Sequence, residues 1–255
     1  MANLKTKNSM KILLAILLIT LTTTAFTQSQ FITAGRVEYE KTYNQFSAID
    51  DENQDGDWMQ QLKKNYPKFV KDVYELQFGN NKSAFKLARE NTDNKYLWRD
   101  KPSATDITAK DLTTNKITVQ KEVFENVYLV QDNMQNYQWK ITDETRTIAG
   151  FECKKAVTKI CDSVYVVAFY TDQIMVSSGP ESFGGLPGLI LGLAVPRLHT
   201  TWFATKLELV TPTTTQIAPP QKGKKANWQL LEADLTKLKA RWGNYGTKYL
   251  WNFML

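Results

Sequence analysis

Short runs in which apolar and polar residues alternate recur along most of the chain, and this period of two restricts its fold more than any other feature. In GRVEYEKTYN (Gly35 to Asn44), Val37 and Tyr39 fall on one side, with Arg36, Glu38 and Glu40 on the other. Similar runs are VYELQF (Val73 to Phe78), SAFKLA (Ser83 to Ala88), NKITVQ (Asn115 to Gln120), NVYLV (Asn126 to Val130) and YQWKI (Tyr137 to Ile141). FECKKAVTKI (Phe151 to Ile160), VYVVAFY (Val164 to Tyr170), LILGLAV (Leu189 to Val195) and TTWFATKLELV (Thr200 to Val210) complete the series. Successive side chains of a strand point to opposite faces. Many short strands between turn residues therefore predict a mainly β fold, an antiparallel curved sheet closed as an open barrel or stacked as a sandwich.

Two stretches break the period. One short helix is expected near 58–66, where Trp58, Leu62 and Tyr66 share a face, Asp57 can cap the start and Pro67 ends the run. A second, amphipathic helix is expected over 227–242: Trp228, Leu231, Leu235, Leu238 and Trp242 are spaced 3, 4, 3, 4, with Asn227 as cap and Gly243 as stop. Such a stripe must cover something, by default the core of the sheet. The expected division is a signal peptide at 1–27, a β domain at 28–210, a polar linker at 211–226 and a C-terminal helix with an aromatic tail at 227–255.

The opening reads as a secretory signal. Lys5, Lys7 and Lys11 precede the apolar run Ile12 to Leu21, followed by small and hydroxyl residues to Ala25. That run is half the length of a membrane span, so no transmembrane span is expected in the mature chain. The expected location is the periplasm, free or associated with the outer membrane. The net charge is +6, but its excess sits in the signal lysines and the C-terminal end, so no basic face for nucleic acid is expected. An exported chain with two cysteines, Cys153 and Cys161, favours a bridge. A single strand over Phe151 to Ile160 would hold them too far apart. Both states stay open on the sequence.

Little points to catalysis. Asp51, Asn53, Asp55 and Asp57 fit positions 1, 3, 5 and 7 of a calcium loop, but Leu62 stands where the bidentate glutamate belongs. An acidic loop leading into a helix accounts for the same residues. The one histidine, His199, has no nucleophile motif around it. The carboxylates of TDET (Thr142 to Thr145) are expected in a solvent-facing turn. No cofactor or metal is expected.

FGGLPGLILGL (Phe183 to Leu193) joins a turn without side-chain bulk to an apolar strand. Gly184, Gly185 and Gly188 permit positive φ and Pro187 fixes φ between them. With WKITDETRTIAGFECKKA (Trp139 to Ala156) and VAFYTDQIMVSSGPESFGGLPGLIL (Val167 to Leu191), this stretch resembles the GLPGLI family of Bacteroidetes envelope proteins. The resemblance marks Trp139, Cys153, Gly179, Pro180, Phe183, Gly184, Gly185, Leu186, Pro187, Gly188, Leu189 and Ile190 as structural or binding candidates. It implies no catalytic residue. The expected function is that of an exported, non-enzymatic accessory protein binding an outer-membrane protein. The alternatives are a lipid or lipoprotein carrier with an apolar cavity under the sheet and, more distantly, a hydrolase.

Overall fold

The computed structural model describes residues 31–47, 56–97, 104–123, 125–160, 163–242 and 255, with side chains left out at 238–242. In chain order the strands are β1 (Gly35–Asn44), β2 (Phe69–Gly79), β3 (Lys82–Arg89), β4 (Ile107–Asp111), β5 (Lys116–Val123) and β6 (Asn126–Asn133). They continue as β7 (Lys140–Ile148), β8 (Phe151–Ile160), β9 (Val164–Thr171), β10 (Leu189–Val195), β11 (Thr200–Glu208) and β12 (Lys224–Ala226). Helix α1 is Asp57–Asn65 and α2 is Trp228–Trp242.

All twelve strands form one sheet, in the order β12-β6-β5-β4-β3-β2-β1-β11-β10-β9-β8-β7. Every neighbouring pair is antiparallel except β12 with β6. The fold is thus mainly β with a short helix and a C-terminal helix, and a single sheet replaces the sandwich option. Its two edges, β12 and β7, stay unpaired with each other, so the sheet is open.

Chain length shows that this sheet is rolled. Residues 134–139 are all that connect β6 to β7, although these strands lie ten places apart in the sheet. Strands spaced about 4.8 Å apart would put them ~48 Å apart on a flat sheet. Seven residue steps reach at most about 25 Å. The two ends must therefore approach, and one face becomes an interior.

Pairing identifies that face, because directly opposed residues point the same way. Tyr39 opposes Tyr74 and Ala204, Lys41 opposes Trp202, Trp202 opposes Leu193, and Leu193 opposes Ala168. Tyr39, Tyr74, Trp202, Leu193 and Ala168 belong to one large buried cluster. The alternate residues of β1, Arg36, Glu38 and Glu40, lie on the other face and keep part of their surface in solvent.

Helix α2 covers the sheet, as its stripe requires. Trp228, Leu231 and Leu235 pack on Ile117, Val119, Val123, Tyr128 and Val130 of β5 and β6. The Asn227 carboxamide oxygen accepts the Leu230 N–H at 2.9 Å, which caps the helix as expected. Leu238 and Trp242 fall outside the described side chains. Helix α1 is capped by Gly56 rather than Asp57, which lies in its first turn. Met59 is its buried residue, against Phe46, and Leu62 and Tyr66 pack beside them, while Trp58 points to solvent.

One further expectation changes. TDET lies inside β7 rather than in a turn, with a register irregularity between Ile141 and Thr145. Strand β4 goes unread in the sequence because ITAKD offers only Ile107 and Ala109 as an apolar pair. His199 ends a 3-10 turn in the left-handed region, φ 49°, and is exposed. Among the described residues, no helix is long and apolar enough to cross a membrane. The signal segment, Cys161 and residues 249–254 of the aromatic tail lie outside the described residues.

Candidate functional site

The connector between β9 and β10, residues 172–188, runs into the interior of the roll and carries most of the motif residues. Its path is fixed by its own backbone. The Ile190 N–H donates to Ser178 O at 2.9 Å, Leu189 N–H to Ile174 O at 3.1 Å, and Phe183 N–H to Pro180 O at 3.2 Å. The Gly188 N–H closes a tight turn on Leu186 O at 2.8 Å. Gly185 and Gly188 adopt the expected positive φ, +84° and +155°. Gly184 does not; it is small because a Cβ there would come within 2.9 Å of Ser177 O. At Gly188 a Cβ would sit 2.0 Å from Thr171 O, a clash no rotamer relieves. Gly185 and Pro187 face solvent, whereas Gly179, Pro180, Phe183, Gly184, Leu186, Gly188, Leu189 and Ile190 are buried. The motif loop is therefore mostly interior, with Phe183 and Leu186 in the large buried cluster.

Polar side chains from distant strands grip this connector. From β4, Lys110 Nζ donates to Gly179 O at 2.9 Å and Phe183 O at 2.5 Å, and lies 3.5 Å from Ser178 Oγ. Ser178 Oγ is in turn 2.8 Å from Ser83 Oγ of β3. From β1, Lys41 Nζ lies 3.4 Å from Glu181 Oε1 and sits 5.0 and 5.1 Å from the ring centres of Tyr74 and Trp202. The Tyr39 hydroxyl donates to Ile190 O at 2.7 Å. Just before β7, Trp139 Nε1 donates to Gly184 O at 2.9 Å, and the Tyr137 and Ser182 hydroxyls are 2.8 Å apart. Tyr137 also stacks at a tilt on Phe183, ring centres 5.0 Å apart. The Ser182 N–H donates to Leu255 O at 3.1 Å, and the Leu255 side chain is buried.

Burial dominates the electrostatics here. It lowers Lys110 to about 7, against an opposing pull from the Glu181 charge. It raises Tyr74 well above the usual phenol value, with Glu181, Asp72 and Asp106 adding to the effect. Cys153, on β8, is a free buried thiol pushed up to about 11 by burial. Its Sγ donates to Phe151 O at 3.5 Å, and β8 runs unbroken from Phe151 to Ile160.

A serine, a second serine and a lysine in series could transfer a proton for hydrolysis. Ser178 is 0 %, Ser83 1 % and Lys110 2 % exposed, so no scissile bond can reach them. The cluster fastens the connector and does not act as a nucleophile. Of the calcium-loop residues, Asp51, Asn53 and Asp55 lie outside the described residues. Asp57 is exposed at the start of α1, and no group of three or more metal-binding side chains occurs among the described residues.

Lys41, Ser83, Lys110, Ser178 and Glu181 went unread in the sequence because each stands alone in its local run. The register of β3 with β4 opposes Ser83 to Lys110, and the connector brings Ser178 to that pair and Glu181 to Lys41.

A family model described as "N-glycanase peptide, N-terminal domain" matches residues 80–230, more than half of the chain. Two solved structures of PNGF-II, in C2 and P21 space groups, share the fold at TM-score 0.51 and 16 % identity. They cover 82 % and 83 % of this chain, which spans only 33 % of theirs. An uncharacterised conserved protein from Thermus thermophilus aligns over 77 % of this chain and 91 % of its own, at TM-score 0.38 and 4 % identity, too distant to bear on the fold. Among curated proteins no sequence matches. The family match overturns the expected GLPGLI membership. With it go the non-enzymatic accessory role and the lean against an enzyme, since the matching family takes its name from one. The chain belongs to the family of N-glycanase N-terminal domains.

Proposed function

We propose that this chain serves the hydrolytic removal of N-linked glycans from glycoproteins, in the part that an N-terminal domain plays in an N-glycanase. The observation that carries this reading is the family match over residues 80–230, which takes in β4, the connector and β12. The closed polar centre supports a division of labour in which the glycosidic amide is cleaved outside it, at a surface completed by a further catalytic unit. The chain spans a third of the PNGF-II structures, which leaves room for such a unit. The lysine-flanked apolar run at Ile12 to Leu21 supports an exported protein working in the periplasm.

The test is glycan release from a defined N-glycopeptide. The full chain is assayed alone and mixed with the remaining part of an N-glycanase made separately. Hydrolysis leaves aspartate where the glycosylated asparagine stood, which peptide mass spectrometry reads directly. Release in the mixture, faster than with the added part alone, supports the reading, and release by the chain alone makes it a hydrolase in its own right. No gain in rate and no binding of the glycopeptide would sink it.

A further inference from the structure

Lys110 is held from two sides. Its backbone is locked in β4 between β3 and β5, opposite Ser83 and Ile117. The acceptors around its Nζ, Gly179 O, Phe183 O and Ser178 Oγ, all belong to the connector. The carboxylate whose charge bears on it, Glu181, is paired with Lys41 from β1. From β5 the facing residue is uncharged Ile117, and beside the β2–β3 and β4–β5 turns Lys82 and Asp111 pair with each other at 3.6 Å.

This acceptor set suits two protonation states. A neutral amine donates to the two carbonyls and accepts the Ser178 hydroxyl proton, with Ser83 donating to Ser178. An ammonium donates to all three acceptors, and Ser178 then donates to Ser83. One added proton reverses the chain and puts a charge into an interior where the carboxylate that bears on it, Glu181, is already paired with Lys41. The connector is the part that can yield, because opening it would let water reach Nζ without breaking the β3–β4–β5 pairing.

We propose that Lys110, Ser178 and Ser83 form a proton-operated clasp, in which protonation of the Lys110 amine reverses the hydrogen-bond chain and loosens residues 176–188 from the sheet.

Burial holds the closed-state amine near 7, whereas an exposed lysine titrates at about 10.4. Between these values the open state binds more protons. Closure therefore gains with rising pH, by up to about tenfold per unit, and loses the same as pH falls toward 7. Below that the effect levels off.

The decisive measurement is hydrogen exchange of the Phe183 and Ile190 amides in the full chain at pH 7 and pH 9, corrected for intrinsic rates. Protection is expected to rise about 10–100-fold from pH 7 to pH 9, and Lys110→Met should abolish the rise. Protection independent of pH, or an equal rise in the variant, overturns the clasp. Should the variant not fold, the Lys110 Cε shift in the wild type decides by NMR: a midpoint near 7 supports it and one near 10 rejects it.

Discussion

Lys110 and Trp139 bind adjacent carbonyls of one connector, Phe183 O and Gly184 O, although β4 and the strand that Trp139 leads into lie eight places apart in the sheet. Only a rolled sheet allows this. The two side chains act on the connector from opposite walls, so loss of either should weaken the hold of the other. Trp139→Phe removes one hydrogen bond and should cost about 1 kcal/mol, and Lys110→Met orphans two buried carbonyls at about 1–3 kcal/mol each. Urea unfolding of the double variant should show a coupling above about 0.5 kcal/mol. Strict additivity would mean that the connector does not transmit force between the walls.

Two glycines with positive φ should respond in opposite degree. Gly188→Ala drives a Cβ into Thr171 O and should leave little soluble protein. At Gly150, with φ +85°, an added Cβ would meet nothing within 4 Å, so Gly150→Ala brings only backbone strain of about 1 kcal/mol. Thermal melts of the two, side by side, check the contrast. Equal losses would refute the crowding seen at Gly188.

Lys121 and Asp106 form an ion pair at 2.7 Å, with both side chains 1–2 % exposed. Breaking such a pair from one side typically costs about 3–5 kcal/mol, while replacing both ions with apolar groups is often neutral. Lys121→Met should therefore be severely destabilised, and Lys121→Met with Asp106→Leu should recover much of the loss in urea titrations.

The α2 stripe gives a graded series. Leu231→Ala empties a fully buried position and should cost about 2–5 kcal/mol. Asn227→Ala removes only the cap, about 1 kcal/mol. Near-UV circular dichroism reports whether Trp228 still packs. A Leu231→Ala cost below that of Asn227→Ala would place the helix off the sheet.

Cys153 should resist a thiol reagent in the folded protein and react quickly in urea. Burial removes both access and thiolate: the folded thiol ionises near 11, so pH 8 leaves it protonated. Fast native labelling at Cys153 would contradict its burial.

Much of the sheet was legible because alternation depends on neighbouring residues alone. Val37 and Tyr39 mark β1 without reference to any other strand, and Trp228, Leu231 and Leu235 mark the face of α2. The centre was not legible, for a physical reason. Lys110 reads as a surface lysine in ITAKD, and only its position opposite Ser83, with the connector folded above it, turns it inward. The glycine motif reads as a bulk-free turn before a buried strand, and of its glycines Gly185 and Gly188 take positive φ whereas Gly184 does not. The resemblance drawn from Trp139 to Ala156 and Val167 to Leu191 pointed to another family, and the family match over residues 80–230 overturns it.

The strand order also sets an order of assembly. Strands β1 to β6 form one meander of neighbours and β7 to β11 another, and β1 with β11 is the pair that joins them. Some 155 residues separate the end of β1 from the start of β11, so the free side of β1 waits for a mate that only a long loop closure brings to it. An unpartnered strand left open that long invites wrong partners. The alternating charges Arg36, Glu38 and Glu40 guard it during the wait. Once β11 arrives, Arg36 lies 3.5 Å from Glu208, and the charges that kept strangers off become part of the join.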